Sequence, residues 1–311
     1  MLEGASKPNI SKWAPALVFL AAMLWASDTP FRFYLVQSLD PSIIVLAEHL
    51  INTLIILPFL FLNWREIKTL DWKQWLTLLF IGIGASAIAT ILFTQSFSHV
   101  NPSVAIVLQK LQPLIAIALS VLLLKESTGK RFWMWALTAL VGAYVISFPN
   151  LRPELYAGEV WSPNTLGVLL SLGAAALWGA GTVAGRYVLK TVSFTTVASL
   201  RLFLAFLFLM LWNAPSAVAD AVHALTPKNA LFLVIISLTS GFISLFLYYR
   251  GLTHTKASIA TIAELGFPFL AVIVNAAALG FFLAPAQLLG MCVLLLAVWQ
   301  LTKVNSSAIA E

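Results

Sequence analysis

The sequence predicts an all-α integral membrane protein of ten transmembrane helices, arranged as two inverted five-helix repeats with both termini in the cytoplasm. Three observations predict it: long neutral apolar runs, a lopsided placement of Lys and Arg, and a self-similarity between the two halves of the chain.

The apolar runs come first. Of 311 residues, 60% are hydrophobic and 10% charged, with a mean hydropathy of +0.94. A soluble domain carries about 25% charge to cover its surface. Here the charges fall in short clusters between long neutral stretches. Ten such stretches can be read, at 13–36, 42–62, 74–98, 102–124, 131–148, 164–189, 194–212, 229–251, 257–281 and 284–303. Most reach the length a helix needs to cross about 30 Å of hydrocarbon at about 1.5 Å per residue. The runs are too unbroken for the alternating strands of a membrane β-barrel. The first stretch follows Lys7 and Lys12 but is too long for the roughly 7–15 apolar residues of a cleaved signal, so it is read as a retained span. Longer connections lie at 63–73, 149–163 and 213–228.

Orientation follows from the basic residues. With the N-terminus inside, the cytoplasmic segments hold Lys7, Lys12, Arg65, Lys68, Lys73, Lys125, Lys130, Arg131, Lys190, Arg250, Lys256 and Lys303. The outer segments hold Arg152 and Lys228. The net charge of +6 is therefore a topology signal and not a nucleic-acid footprint. The lone Cys292 excludes an intramolecular disulfide and a multi-cysteine metal site.

The halves then align with each other. Leu24-Trp25, Thr29 and Tyr34 match Leu177-Trp178, Thr182 and Tyr187 at an offset of 153; His99, Ser103, Ala105 and Pro113 match His254, Ser258, Ala260 and Pro268 at 155. Five spans per half is an odd number, so the second half crosses in the opposite sense. Inverted repeats place a substrate site near the midplane, between the halves. The repeats are expected at 13–148 and 164–303.

These motifs resemble the drug/metabolite transporter superfamily, in its EamA-type branch. The resemblance rests on the Leu-Trp of spans 1 and 6, on Leu108-Gln109-Lys110-Leu111-Gln112-Pro113 with Lys125-Glu126, and on Ala263-Glu264-Leu265-Gly266-Phe267-Pro268. It covers about residues 13–303. The family's helix-end glutamate is matched by Glu126, with Phe281 as its second-half counterpart; its second-helix arginine is matched by Arg201, with His49 in the first half. The resemblance implies a central cavity lined by spans 1–4 and 6–9, with spans 5 and 10 peripheral. It also implies a cargo of amino acids, related metabolites or drugs, usually exported.

Seven ionisable residues lie inside spans: Asp28, Arg32, Glu48, Lys110, Arg186, Arg201 and Glu264. Each costs roughly 2.5–3.5 kcal/mol at a helix centre unless it pairs or meets water. Asp28 and Arg32 share a helix face four residues apart and can pair structurally. Arg186, near the inner end of span 6, can snorkel to the headgroups. The candidate substrate-binding set is Trp25, Asp28, Glu48, His49, Gln109, Lys110, Trp178, Arg201 and Glu264. His49 maps onto Arg201 and Gln109 onto Glu264 between halves, so polar groups converge on one region. Opposed charges there suit a zwitterion such as an amino acid or hold helices together, and Glu48 or Glu264 suits proton handling. Trp25 and Trp178 suit apolar walls. Trp13, Trp64, Trp72, Trp75, Trp133, Trp161 and Trp212 suit interfacial anchors. His99 and His254 occupy equivalent short loops on opposite sides, which fits a turn role.

No catalytic constellation, metal set or cofactor motif stands out, and no phosphate-binding loop points to direct nucleotide drive. The expectation is a secondary transporter working by alternating access, exporting a small organic solute across a bacterial inner membrane. The alternatives are a channel or lipid scramblase, and then an intramembrane enzyme on a lipid-linked substrate. The partners expected are the small-molecule substrate and the lipid bilayer, with a homodimer allowed and no nucleic acid.

Overall fold

The computed structural model describes residues 10–124, 130–158, 160–244, 247–248 and 266–308. Apart from one two-residue hairpin, its regular elements are helices. They are α1 (Ile10–Leu35), α2 (Pro41–Leu62), α3 (Trp64–Ile67), α4 (Trp72–Leu79), α5 (Ala89–Ser96), α6 (Pro102–Gln109) and α7 (Gln112–Leu124). There follow α8 (Lys130–Ser147), α9 (Pro163–Val188), α10 (Phe194–Trp212), α11 (Pro215–His223), α12 (Pro227–Ile236), α13 (Gly266–Leu279) and α14 (Pro285–Ala308). Five helical segments are long and apolar enough to cross a membrane, or six when the bent pair Pro215–His223 and Pro227–Ile243 counts as one.

Helix starts repeat one local device. Asp40, Asn101, Ser162 and Thr226 each accept a backbone N–H of the first turn, and each is followed by Pro at the first helical position. The side-chain oxygen satisfies an orphan donor, and Pro has no N–H to leave unpaired there. Asp71 and Gln74 close a reciprocal capping box before α4.

Two stretches depart from the α-helical ladder. Phe80–Ile88 joins α4 to α5 as π-helix, and Ser237–Ile243 continues α12 as π-helix. Shifted by the 155-residue offset of the sequence match, the first falls on positions 235–243, nearly on the second. A π stretch widens the helix and leaves a carbonyl without its usual donor, a feature that recurs at functional sites.

The fourth apolar run is broken as well. Lys110 and Leu111 form a tight turn between α6 and α7, their amides donating to Val107 and Leu108 at 3.0 Å each. Pro113 supplies no amide for the carbonyl of Gln109, so the α-helical ladder cannot run through.

Two connections carry structure of their own. The segment 149–163 holds a hairpin, Tyr156–Ala157 against Val160–Trp161, whose two rings stack at 4.7 Å. Gly158, at φ +70°, turns it. The segment 213–228, read from the sequence as one of the longer connections, contains α11, set at 115° to the helix that follows. Val218 and Ala221 point its apolar side to the core.

The largest core cluster joins α8 to α14. Phe132, Ala136, Ala139 and Ile146 meet Met291, Leu294, Val298 and Leu301. The backbones come so close that a Cβ on Gly142 would lie 2.7 Å from the Leu294 amide nitrogen. Trp64, Trp72, Trp133, Trp161 and Trp212 are exposed near element ends, while Trp75 is half-buried.

A buried polar cluster beside an aromatic patch

Three helices place polar groups at one junction. Asp28 and Arg32 lie one turn apart on α1; Glu48, His49, Asn52 and Thr53 form the buried face of α2; Thr94 comes from α5. Nε and Nη2 of Arg32 donate to Oδ2 of Asp28 at 3.1 and 3.0 Å. Nη2 also donates to Oε2 of Glu48 at 2.9 Å, and Nη1 to Oγ1 of Thr94 at 3.0 Å. Arg32 is 3% exposed, Asp28 and Glu48 8%. A guanidinium shared this way holds α1, α2 and α5 together through charge-assisted bonds.

His49 neighbours this group. Its Nδ1 lies 2.9 Å from the Val45 carbonyl, and both Arg32 and Arg201 act on it electrostatically. Arg201, on α10, donates through Nε to Oγ of Ser86 in the first π stretch. Asn52 is 3% exposed, and its amide packs against Gly241 in the second.

An aromatic patch adjoins the cluster. The Trp25 indole N–H donates to the Ser240 carbonyl at 3.1 Å, and its ring lies 5.3 Å from that of Tyr248. Phe93 packs in one cluster with Trp25 and Phe267, and its ring stands 5.2 Å from Trp178. The two repeat-related indoles thus belong to one patch. Lys110 completes it, its Nζ 4.6 Å from the Phe267 ring centroid. Gln112 reaches Thr182 at 3.3 Å, and Thr182 in turn bonds the Trp178 carbonyl at 2.9 Å.

A model of the EamA-like transporter family matches residues 12–148 and again residues 165–302. The chain belongs to the EamA-like transporter family. This EamA-like transporter is 34% identical over 302 residues to the riboflavin transporter ImpX of Fusobacterium nucleatum, covering 93% of this chain and 97% of that one. It is 23% identical over 282 residues to the uncharacterized transporter YwfM of Bacillus subtilis, covering 90% of each. A solved crystal structure superposes on it with a TM-score of 0.59 at 17% identity, over 96% of this chain and 99% of the other, a likeness of fold alone. The protein is therefore a multi-pass membrane transporter for a small molecule, and not an enzyme.

Within this EamA-like transporter, Asp28, Glu48 and His49 come together; Trp25, Trp178 and Lys110 meet in the adjoining patch; Arg201 approaches through His49 and Ser86. Gln109 is half-buried at the end of α6. Glu264 lies outside the described residues, as do His254 and the Lys125-Glu126 pair. Sequence reading left Arg32 as a structural partner of Asp28, whereas it is the hub of the cluster. It missed Thr94, Asn52 and Ser240, whose roles arise from helix packing and leave no local signal beyond a polar residue in an apolar run. Among the described residues no three His, Cys, Asp or Glu side chains gather to hold a metal.

Proposed function

We propose that this transporter carries a flavin-type solute, riboflavin or a close analogue, across the bacterial inner membrane. The observation that carries the reading is the 34% identity to a riboflavin transporter along 97% of that protein's length. The chemistry of the site is in keeping with it. A flat tricyclic ring system stacks on indole and phenyl faces such as Trp25, Phe93, Trp178 and Phe267. A polyhydroxyl chain exchanges hydrogen bonds with Asp28, Glu48, His49, Asn52 and Gln109. Lys110, Arg201 and Glu264 complete the proposed set.

Ten spans in two inverted repeats, 13–148 and 164–303, with both termini cytoplasmic, would let each half rock about this midplane site. The paired π stretches and the separate family matches to each half support that arrangement. Export is the direction the family resemblance implies. A second reading, an amino-acid-like zwitterion, draws on the opposed charges of Glu48 and Arg201. The saturation of Arg32 by two carboxylates and the size of the aromatic patch favour the flavin.

The test is flux of radiolabelled riboflavin in proteoliposomes of the purified protein, with inside-out and right-side-out orientations compared. Saturable riboflavin flux blocked by excess unlabelled flavin is the expected result. Saturable flux of labelled amino acids with none of riboflavin would overturn the reading in favour of the zwitterion.

A further inference from the structure

Arg32 is one cation in contact with two buried carboxylates. Its Nη2 lies 3.0 Å from Oδ2 of Asp28 and 2.9 Å from Oε2 of Glu48. Its side chain is 4% exposed, that of Asp28 12% and that of Glu48 10%. Two ionised carboxylates around one guanidinium leave an uncompensated negative charge in a medium that solvates it poorly. Carboxylates that share a site do not both ionise freely.

A second geometrical sign points the same way. Oδ1 of Asp28 is buried and has no hydrogen-bond partner among the described residues. The Ser240 hydroxyl faces this carboxylate and also lies 2.8 Å from the Ile236 carbonyl. With its hydrogen on that carbonyl, its lone pairs are left to accept. A hydrogen on Asp28 would serve both groups.

Among the described residues, the charges bearing on Asp28 are Arg32 on its own helix and Glu48 on α2. His49, also on α2, and Arg201 on α10 act on each other, and Arg201 is engaged by Ser86. Thr94 on α5 is neutral, and α13 brings the apolar Phe267, Leu270 and Ala271 to α1.

We propose that Asp28 and Glu48 hold one exchangeable proton between them over Arg32, and that this proton is the ion coupled to transport. The inference rests on the transport reading above and adds its driving ion. With the proton bound, the triad is neutral and locks α1, α2, α5 and the 237–243 stretch together. When the carboxylic O–H gives its proton to water, the bonding electrons stay on the carboxylate. The triad then carries a net negative charge that has to meet water, which favours parting of these helices.

Infrared difference spectra of the full-length protein in detergent, recorded across neutral pH in light and heavy water, test the site without any substrate. The expected signal is a deuterium-sensitive carboxylic-acid carbonyl band. It disappears in Asp28→Asn and in Glu48→Gln, because the carboxylate that remains then pairs one-to-one with Arg32, and it persists in Glu66→Gln. Isotope labelling of aspartate or glutamate carboxyl carbons shifts the band in the wild-type protein even where a variant fails to fold. A wild-type protein without this band, or a band that survives both triad variants, overturns the proton site. In proteoliposomes, an imposed pH gradient is expected to speed riboflavin flux several-fold, and riboflavin to move protons reported by an internal pH dye. Riboflavin flux indifferent to the gradient overturns the coupling and leaves the cargo standing. The band together with gradient-driven flux of another solute, and none of riboflavin, upholds the proton and overturns the cargo.

Discussion

Trp25 and Ser240 are 215 residues apart in the chain and 3.1 Å apart in space, the indole N–H of one donating to the carbonyl of the other. The bond is made where the helix leaves α-geometry: Ser240 sits in the π stretch Ser237–Ile243, whose wider turn frees carbonyls for outside donors. The Ser244 hydroxyl reaches the same carbonyl at 2.5 Å. Trp25 therefore ties the first helix to the second half of the chain while presenting its ring to the aromatic patch.

Replacing Trp25 separates these two roles. Trp25→Phe keeps a ring and loses the donor, a change of about 1 kcal/mol for one net hydrogen bond. Trp25→Ala also removes stacking worth about 0.5–1.5 kcal/mol beyond area burial. On the flavin reading the KM for riboflavin rises roughly tenfold for Ala and stays near wild type for Phe, whose lost hydrogen bond shows as a lower melting temperature. Equal KM values for wild type and Trp25→Ala would remove Trp25 from the binding surface.

Glu66 provides a pH prediction outside the spans. Its carboxylate receives the Ser193 amide at 2.7 Å, the Ser193 hydroxyl at 2.5 Å and the Thr196 hydroxyl, all at the start of α10. Partial burial alone would raise this carboxyl, but these hydrogen bonds outweigh it and hold it below its ordinary value. A depressed carboxyl adds stability above the unfolded value, about 4.3, and loses it as pH falls through the lower folded value. Glu66→Gln is expected to melt below wild type at neutral pH, with the gap closing under about pH 4.3. A gap that stays constant with pH would mean that the charge of Glu66 contributes nothing to the fold.

Much of this fold was legible in the sequence, because a membrane leaves few choices. The apolar runs announce helices, and the pairs Asp40-Pro41, Asn101-Pro102 and Ser162-Pro163 announce where they start. Pro113 announces the break after Gln109. The π stretches were not legible, since their glycines and serines fit an ordinary close-packed helix equally well. The helix α11 was hidden because nine residues between two spans read as a loop when their apolar side is short. The site was half legible. An ionisable residue in an apolar run identifies itself, so Asp28, Glu48 and Arg201 stood out. Which of them touch depends on helix rotation and depth, and these follow from packing across the whole bundle. The Arg32–Glu48 contact is of that kind.

The α8–α14 contact predicts a defect of stability and not of transport. A Cβ added at Gly142 would meet the Leu294 nitrogen at 2.7 Å and the Gly290 oxygen at 2.9 Å, neither of which can rotate away. Gly142→Ala must push the helices apart, at about 1–3 kcal/mol. A lower melting temperature in detergent with an unchanged rate per folded molecule is expected. An unchanged melting temperature would show that this seam has slack.

The contact between α9 and the first π stretch predicts the opposite. A Cβ on Gly181 would collide with Cβ of Ala85, between two helices that carry the aromatic patch and the Arg201 partner Ser86. Gly181→Ala is expected to slow transport at least tenfold by wedging this junction, an effect of about 1.4 kcal/mol on the moving state. Ala85→Gly removes the atom that the new methyl strikes, so the double variant Gly181→Ala/Ala85→Gly should regain most of the flux. The coupling between the two positions, read as the departure from additivity of the single changes, should be large and favourable. Additive losses in the double variant would mean that each residue matters for its own helix and that the close approach between them is incidental to transport.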